Sequence, residues 1–183
     1  MVARTQAIEV VPYNPEWAHE FTRIKEYLLP YVDDLILAVE HVGSTSVPGL
    51  DAKPIIDLDL VMASYDVLPE IIERLAKIGY VHEGNQGIEG REAFKRIQED
   101  EFMKYHLFVC PQDGKGFVEH LALRDYLCSH EADRQAYAEL KNRLAGQHRN
   151  DRDAYGAGKT AFIQAILEKA RAGADTSWYR RKQ

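Results

Sequence analysis

The sequence EHVGSTSVPGLDAKPIIDLDL, which covers Glu40–Leu60, decides the fold. A β-rich run leads into a loop of small residues, Gly43–Gly49, where glycine and proline favour a turn. A second strand is predicted at Ile55–Met62, in which apolar residues alternate with Asp57 and Asp59. One face of this strand is therefore apolar and suited to a core, whereas the other face carries two carboxylates.

The two carboxylates form a candidate metal site. Side chains two residues apart on a strand leave the same face about 6–7 Å apart, close enough to share divalent cations. Hard cations such as Mg²⁺ prefer oxygen ligands, so Asp57 and Asp59 are the predicted metal ligands. The alternative interpretation is that both acids merely face solvent on the polar side of a half-buried strand.

The glycine loop upstream of the acids is a candidate phosphate site. Glycine lets the backbone come close to a phosphate, and the neighbouring hydroxyl and N–H groups can donate to it. The residues predicted to bind phosphate in this loop are Gly43, Ser44, Thr45 and Ser46. A phosphate site beside a metal-binding acid pair favours phosphoryl or nucleotidyl transfer, with a nucleoside triphosphate as ligand or substrate and Mg²⁺ as cofactor.

The remaining sequence predicts an α/β (α+β) architecture, with a small mixed β-sheet flanked by helices. A helix is expected from Pro15 to just before Pro30 and another over Leu68–Ile78, and the pattern is helical from Phe117 onwards. The strand candidates are Ala7–Val11, Leu35–Val42, Ile55–Met62, Tyr80–Val81, Glu92–Ile97 and Lys104–Cys110.

The length of the chain predicts one domain. At roughly 100–200 residues per domain, we expect a single unit over residues 1–183. Its sheet-containing core is predicted at residues 1–115, and a helical segment at 116–183 is expected to close over the core.

Composition excludes several classes of protein. With 29 acidic and 23 basic residues, the formal net charge of −6 disfavours nucleic acid as a partner. No run approaches the ~20 apolar residues of a membrane span, and no signal peptide is evident, so a cytoplasmic protein without a membrane partner is expected. Cys110 and Cys128 lack the spacing of a zinc site. A protein partner and an oligomeric state are not predicted.

Five stretches spread over nearly the whole chain form a recognisable set of motifs. They are Val11–Trp17 (VPYNPEW), Glu40–Leu50 (EHVGSTSVPGL), Lys53–Asp57 (KPIID), Arg124–Leu127 (RDYL) and Tyr155–Thr160 (YGAGKT). This set resembles the GrpB family, a branch of the polymerase-beta-type nucleotidyltransferase superfamily that is also found fused to dephospho-CoA kinases in some bacteria. The resemblance implies a nucleotidyltransferase-like fold with Gly43 and Ser44 at phosphates and the acid pair at the metal.

The chain departs from its relatives at two points. Relatives typically show a His-Leu-His strand, whereas this chain has His106-Leu107-Phe108. Active superfamily members also carry a third carboxylate on a neighbouring strand, and no clear equivalent lies between Glu92 and Cys110. His106 is one candidate for that place, and Glu119 from the following helix is another.

Three basic residues are further candidates for nucleotide or phosphate binding. Lys53 either offsets the acid pair and binds phosphate or is a solvated turn residue. Arg91 either clamps an anionic ligand or is an exposed arginine. Lys159 shares a helical face with apolar residues, so it either extends its charge to solvent or points into the site. His41 is equally balanced between a phosphate contact and a structural role.

The leading hypothesis is Mg²⁺-dependent nucleotide binding with transfer of a nucleoside monophosphate to a small-molecule acceptor. Asp57 and Asp59 would hold the metal, and His106 would act as an accessory ligand or base. The alternative is a non-catalytic nucleotide-binding or accessory module linked to coenzyme A metabolism. A phosphohydrolase ranks last because the additional His and Asp ligands typical of such sites are missing.

Overall fold

A mixed β-sheet of five strands lies at the centre of the computed structural model, which describes residues 7–98 and 101–173. Its strands are β1 (Ala38–Val42), β2 (Ile56–Met62), β3 (Tyr80–Gly84), β4 (Glu92–Arg96) and β5 (Tyr105–Pro111). The spatial order is β1-β2-β5-β4-β3, and only β2 and β5 run parallel to each other. The predicted small mixed sheet is thereby confirmed.

One face of the sheet packs on the main hydrophobic core. Helices α1 (Glu16–Val32) and α2 (Leu68–Lys77) cover this face. Four apolar residues of β2 point into it and are fully buried, namely Ile56, Leu58, Leu60 and Met62. Burying each such side chain stabilises the fold by about 1.5–3 kcal/mol. The predicted alternation of β2 therefore decides which face of the sheet is the core.

The opposite face of the sheet meets the first of the three C-terminal helices. These are α3 (Lys115–Ser129), α4 (Glu131–Gln147) and α5 (Arg152–Gly173), as the helical pattern predicts. Phe117 of α3 packs against Val61 and Cys110 on this face. Tyr137 of α4 and Ile166 of α5 enclose the loop that precedes β2. The acid pair therefore lies where the sheet and the helical segment meet.

The strand predicted at Ala7–Val11 is wrong. Only Val11 pairs with another segment, through a single bridge to Ala52. The N–H of Ile8 donates instead to the carbonyl of Arg149 at 2.7 Å. The segment is therefore tied at Ile8 to the residues that follow α4 and at Val11 to the loop before β2.

The end predicted for the first helix is also wrong, because α1 continues through Pro30 to Val32. An interior proline lacks the N–H of the helix ladder and its ring crowds the carbonyl four residues earlier, so a compensating contact is needed. The N–H of Asp33 still donates to the carbonyl of Leu29 at 2.9 Å. Val32 is fully buried in the core, which favours the extra turn.

Within the described residues, none of the helices combines the length and the apolar character needed to cross a membrane.

Candidate functional site

The glycine loop and the acid strand meet at Gly43 and Asp57. Gly43 has φ of +71°, a conformation that favours glycine, and a 3-10 turn over Ser44–Ser46 follows it. A Cβ atom at Gly43 would lie 2.2 Å from Oδ2 of Asp57. Glycine is therefore required here because the Asp57 carboxylate packs directly against the backbone of the loop.

Asp57 pairs with the imidazole of His106. The two residues are register partners on the parallel strands β2 and β5. Nδ1 of His106 lies 2.8 Å from Oδ1 of Asp57. Their side chains are 40% and 27% exposed, so a ligand can reach both groups from solvent.

Asp59 forms the second acid and imidazole pair, deeper in the protein. Its Oδ2 lies 2.7 Å from Nδ1 of His120, which α3 brings over the sheet. The Asp59 side chain is 0% exposed, and its Oδ1 has no hydrogen-bond partner. Burial raises the pKa of Asp59, against the opposing effect of His120. Burial lowers the pKa of His120, but the hydrogen bond to Asp59 and the charges of Asp59 and Asp57 together outweigh it, so the net shift is upward.

His120 is a residue of the candidate site that the sequence does not single out. Glu119 of α3 is the residue predicted to reach the acids. The next residue, His120, makes this contact instead. The carboxylate of Glu119 instead accepts a hydrogen bond from Arg171 at 3.1 Å. The available signal was a histidine among the apolar residues Phe117 and Leu121, which pack on this face of the sheet.

A cleft of about 220 Å³ opens beside Asp57. The loop before β2 contributes Lys53, α4 contributes Lys141 and α5 contributes Lys159. We call it the lysine cleft, and its lining residues are Ser44, Lys53, Ile55, Asp57, His106, Lys141, Tyr155 and Lys159. The site residues Ser44, Lys53, Asp57, His106 and Lys159, predicted from separate motifs, thus border one cavity.

Positive charge in the lysine cleft is concentrated and partly withdrawn from water. Burial, followed by the charge of Lys159, lowers the pKa of Lys141 to about 7. Burial, followed by the charge of Lys53, lowers the pKa of Lys159 to about 8. Burial also lowers the pKa of Lys53. An anion that carries several charges would favour the ammonium forms of all three, so the cleft is suited to a polyphosphate.

Aromatic rings hold the ammonium groups in place. The Nζ atoms of Lys53 and Lys159 lie 5.4 and 4.6 Å from the ring centre of Tyr155. Nζ of Lys141 lies 4.6 Å from the ring centre of Tyr137 and donates to the carbonyl of Asp51. These cation–π contacts stabilise charges that no carboxylate of the described residues contacts directly.

The loop hydroxyls divide between the cleft and the interior. Ser44 lines the lysine cleft. Thr45 is buried. Its Oγ1 lies 3.0 Å from Nε2 of His41 and donates to the carbonyl of Ile55. Ser46 donates to the carbonyl of Gly43 at 2.6 Å. Thr45 and Ser46 therefore shape the loop, and of the three loop hydroxyl residues Ser44 is the one that borders the lysine cleft.

His41 has a structural role. Its ring stacks on Phe21 with the centroids 4.7 Å apart. Burial lowers its pKa to about 4, so the imidazole is neutral at physiological pH. The hydrogen bond to Thr45 then fixes the loop against α1 and β1.

Two arginines lie outside the lysine cleft. Arg124 of α3 donates to Glu40 at 2.8 Å and to Asp125 at 2.7 Å, so it ties α3 to β1. Arg91 lies just before β4, and its guanidinium carbon is 4.3 Å from the ring centre of Phe108. Phe108 is the register partner of Asp59. Arg91 therefore belongs to the Asp59 end of the site, not to the cleft beside Asp57.

The carboxylates can hold a divalent cation only with help from a ligand. No group of three or more His, Cys, Asp or Glu residues with metal-binding geometry occurs in the described parts of the chain. Asp57 and Asp59 each use one oxygen on a histidine and keep a second oxygen, of which Oδ1 of Asp59 is buried without a partner. Mg²⁺ is commonly bound through one or two carboxylates together with substrate phosphates and water, and the residues present fit that mode.

The sheet and the helices around this site define a nucleotidyltransferase-like fold. The solved structure of the GLD-2/RNP-8 complex has a similar fold, with a TM-score of 0.54 and 14% sequence identity. The match covers 90% of this chain and 62% of that chain. Identity at this level shows the fold alone.

The chain belongs to the GrpB family. The sequence model of the family, described as "GrpB protein", matches residues 7–169. The crystal structure of conserved protein GrpB from Enterococcus faecalis is similar over 88% of this chain and 96% of that chain, with a TM-score of 0.78 and 32% identity. UPF0157 protein YqkA of Bacillus subtilis (strain 168) is 34% identical over 164 residues, or 90% of this chain and 47% of that protein. The chain therefore spans about half the length of this relative.

Proposed function

We propose that this protein binds a nucleoside triphosphate in the lysine cleft and transfers its nucleoside monophosphate to the hydroxyl of a small molecule. The observation that carries the proposal is the convergence of Lys53, Lys141 and Lys159 beside Asp57. Three ammonium groups from three separate elements suit the several negative charges of a triphosphate. A cavity of about 220 Å³ accommodates the phosphates rather than the whole nucleotide.

The position of the acids relative to the lysines suggests how the triphosphate lies. The β- and γ-phosphates would contact the lysines and Ser44, and the α-phosphate would lie nearer the two carboxylates. Asp57 and Asp59 would hold Mg²⁺ through their remaining oxygens, and a bound metal would neutralise charge on the phosphates. The lysines would stabilise the pyrophosphate that leaves.

His106 is the candidate base in this scheme. Asp57 engages its Nδ1, which leaves Nε2 as the nitrogen able to take the proton of the acceptor hydroxyl. The acceptor oxygen forms a bond to the α-phosphorus while the bond from that phosphorus to the bridging oxygen breaks. The products are the nucleotidylated acceptor and pyrophosphate.

The test is the thermal stability of the purified protein with each nucleoside triphosphate, with and without Mg²⁺. A ligand at 100 times its Kd adds about 2.7 kcal/mol to the folded state, which for a protein of this size raises Tm by about 5–10 °C. We expect that shift for at least one triphosphate and its loss in Lys159→Met and Asp57→Asn. Lys169→Met removes a charge from the same helix outside the cleft and should retain the shift. The absence of a shift with every triphosphate would refute the proposal.

A second candidate function is nucleotide binding without transfer. The observation that favours it is the identity of His106, an imidazole on the strand beside β2 where active superfamily members are expected to carry a third carboxylate. This candidate predicts the same thermal shift but no pyrophosphate release with any acceptor. Its link to coenzyme A metabolism stays a prediction from the family resemblance.

A further inference from the structure

Arg91 is held in place by two close approaches between the loop before β4 and the start of α3. Gly90 has φ of +75°, and a Cβ atom there would lie 3.1 Å from Cα of Gly114. A Cβ atom at Gly116 would lie 3.3 Å from Cβ of Arg91. The start of α3 therefore packs directly on the loop before β4, and this contact directs the Arg91 side chain over Phe108.

The guanidinium of Arg91 is half-buried yet has no anionic partner among the described residues. Its Nε is buried without a hydrogen bond. The two nearest carboxylates, Asp57 and Asp59, are each bonded to a histidine instead. Other arginines of the described chain, Arg74 and Arg124 among them, lie within 3 Å of a carboxylate oxygen. A positioned, partly dehydrated guanidinium without a counter-ion is suited to an anion from outside the chain.

The place of Arg91 separates it from the phosphates of the proposed nucleotide. The lysine cleft lies at the level of Asp57 and His106, and Arg91 is not part of its lining. Arg91 contacts Phe108, one position further along the same face of the sheet, beside Asp59. In an in-line displacement the acceptor approaches the α-phosphorus from the side opposite the leaving pyrophosphate. With the pyrophosphate at the lysines, that side faces the Asp59 end of the site.

We propose that Arg91 binds an oxyanion of the acceptor, so that the acceptor of this site is an anionic hydroxyl compound bearing a carboxylate or a phosphate. The inference rests on the proposed function for the role of acceptor. The binding of an oxyanion at Arg91 can be measured without it. Both groups present two oxygens in a plane, which a guanidinium matches with two parallel hydrogen bonds.

The experiment uses three probes that share a hydroxylated three-carbon skeleton. Glycerol carries no charge, glycerate carries a carboxylate and glycerol 3-phosphate carries a phosphate. Each is titrated into the full chain with pyrophosphate present to occupy the lysine cleft, and again without pyrophosphate. Binding is followed by calorimetry and by the Nε–H resonance of Arg91, which is assigned as the signal lost in Arg91→Lys.

The inference predicts that at least one anionic probe binds and shifts the Arg91 resonance, whereas glycerol does neither. Arg91→Met keeps an unbranched stem over Phe108 without the charge, and it should weaken the anionic probe about tenfold or more. Arg91→Lys keeps the charge without the two-pronged geometry and should bind between the two. Arg143→Met, an exposed arginine on α4, should bind as the wild type does. The tighter of the two anions identifies the group that the acceptor carries.

Two results would overturn the inference. One is an Arg91 resonance that no anionic probe moves, and the other is an affinity that Arg91→Met leaves unchanged. Failure of the proposed function is separate from both. It would appear as no binding of pyrophosphate to the wild type, while the Arg91 resonance still responds to the anionic probes added alone.

Discussion

Asp57 and Asp59 lie two residues apart on one strand and face the same way, but they occupy different environments. Asp57 is 27% exposed, borders the lysine cleft and pairs with a half-exposed histidine. Asp59 is 0% exposed and pairs with a histidine of the helix that covers it. The strand alone makes the two acids equivalent, so the difference comes entirely from what packs above them.

This contrast shows that α3 sets the depth of the site. Phe117 anchors the first turn of α3 on the sheet next to β2. His120, almost one turn later, then meets Asp59. Asp57 lies beyond the reach of this contact and remains open to the cleft. The outer acid is therefore available to a ligand, whereas the inner acid also holds the helix in place.

The largest expected effect separates the two acids by their contribution to stability. Asp59→Ala should lower the free energy of unfolding by about 3 kcal/mol, because it strips a buried pair of one partner. This value lies at the lower end of the usual cost of removing one partner of a buried ion pair. The cost is low because His120 can lose its proton and because Oδ1 of Asp59 has no partner to lose. Asp57→Ala should cost at most about 1 kcal/mol, as a partly exposed pair does. Urea denaturation of both variants measures the difference.

A double-variant cycle checks the cause of that loss. If the bond between Asp59 and His120 carries the effect, the double replacement by alanine should cost clearly less than the sum of the single replacements. Additive costs would mean that the two residues act on stability independently.

The next effect tests the contact between the loop and the outer acid. Gly43→Ala places a Cβ atom 2.2 Å from Oδ2 of Asp57 in a conformation with φ of +71°. Gly87 has a similar φ of +80°, but a Cβ atom there would meet nothing within 4 Å. Both variants should suffer the backbone strain, and Gly43→Ala should lose about 2 kcal/mol more through the clash. Urea midpoints and triphosphate binding report the two losses.

The clash has its own control. In an Asp57→Ala background the carboxylate is gone and only the Cβ atom of residue 57 stays close, at 3.1 Å, so Gly43→Ala should cost only slightly more than Gly87→Ala. An undiminished cost in that background would show that Gly43 is needed for some reason other than Asp57.

The sequence predicts the fold better at the sheet than at its ends. Alternation in Ile56–Met62 identifies β2, its buried face and its acidic face, because this pattern depends only on the period of a strand. The segment Ala7–Val11 has a similar local composition but contacts Ala52 and Arg149 instead of lying along a strand, which no local pattern reveals. Pro30 lies inside a helix because the burial of Val32 favours one more turn.

The candidate site is predictable where its residues are close in the sequence. The spacing of Gly43 and Asp57 predicts that the glycine loop lies beside the acid pair, and the family resemblance links them to His106. Lys159 is conspicuous because a charge lies on an apolar stripe. Lys141 and His120 lie in ordinary helical sequence, and only the packing of α3, α4 and α5 on the sheet brings them to the acids. Their roles depend on tertiary contacts that a single sequence does not encode locally.

The smallest effect, counted per pH unit, compares the buried cations of the cleft with an exposed one through the pH dependence of stability. Burial lowers the pKa of Lys141 from 10.5 to about 7 in the folded protein. Between these values the unfolded chain binds a proton that the folded chain has released, so stability rises with pH. The slope contributed by this one lysine is at most about 1.4 kcal/mol per pH unit. The pair of Asp59 and His120 acts in the opposite sense, because the pKa of His120 is raised and its contribution is lost as pH rises through that value.

Comparison of variants isolates the lysine from these other groups. Urea denaturation at several values between about pH 7.5 and 9.5 should show a smaller rise in stability for Lys141→Met than for the wild type. Lys169→Met should keep the wild-type slope in this range, because Asp133 raises the pKa of that exposed lysine further above it. Pyrophosphate should reduce the wild-type slope as well, since a bound anion favours the ammonium form of Lys141. A slope that neither Lys141→Met nor pyrophosphate changes would mean that Lys141 stays charged in the free cleft, and the cleft would then differ less from the protein surface than its burial implies.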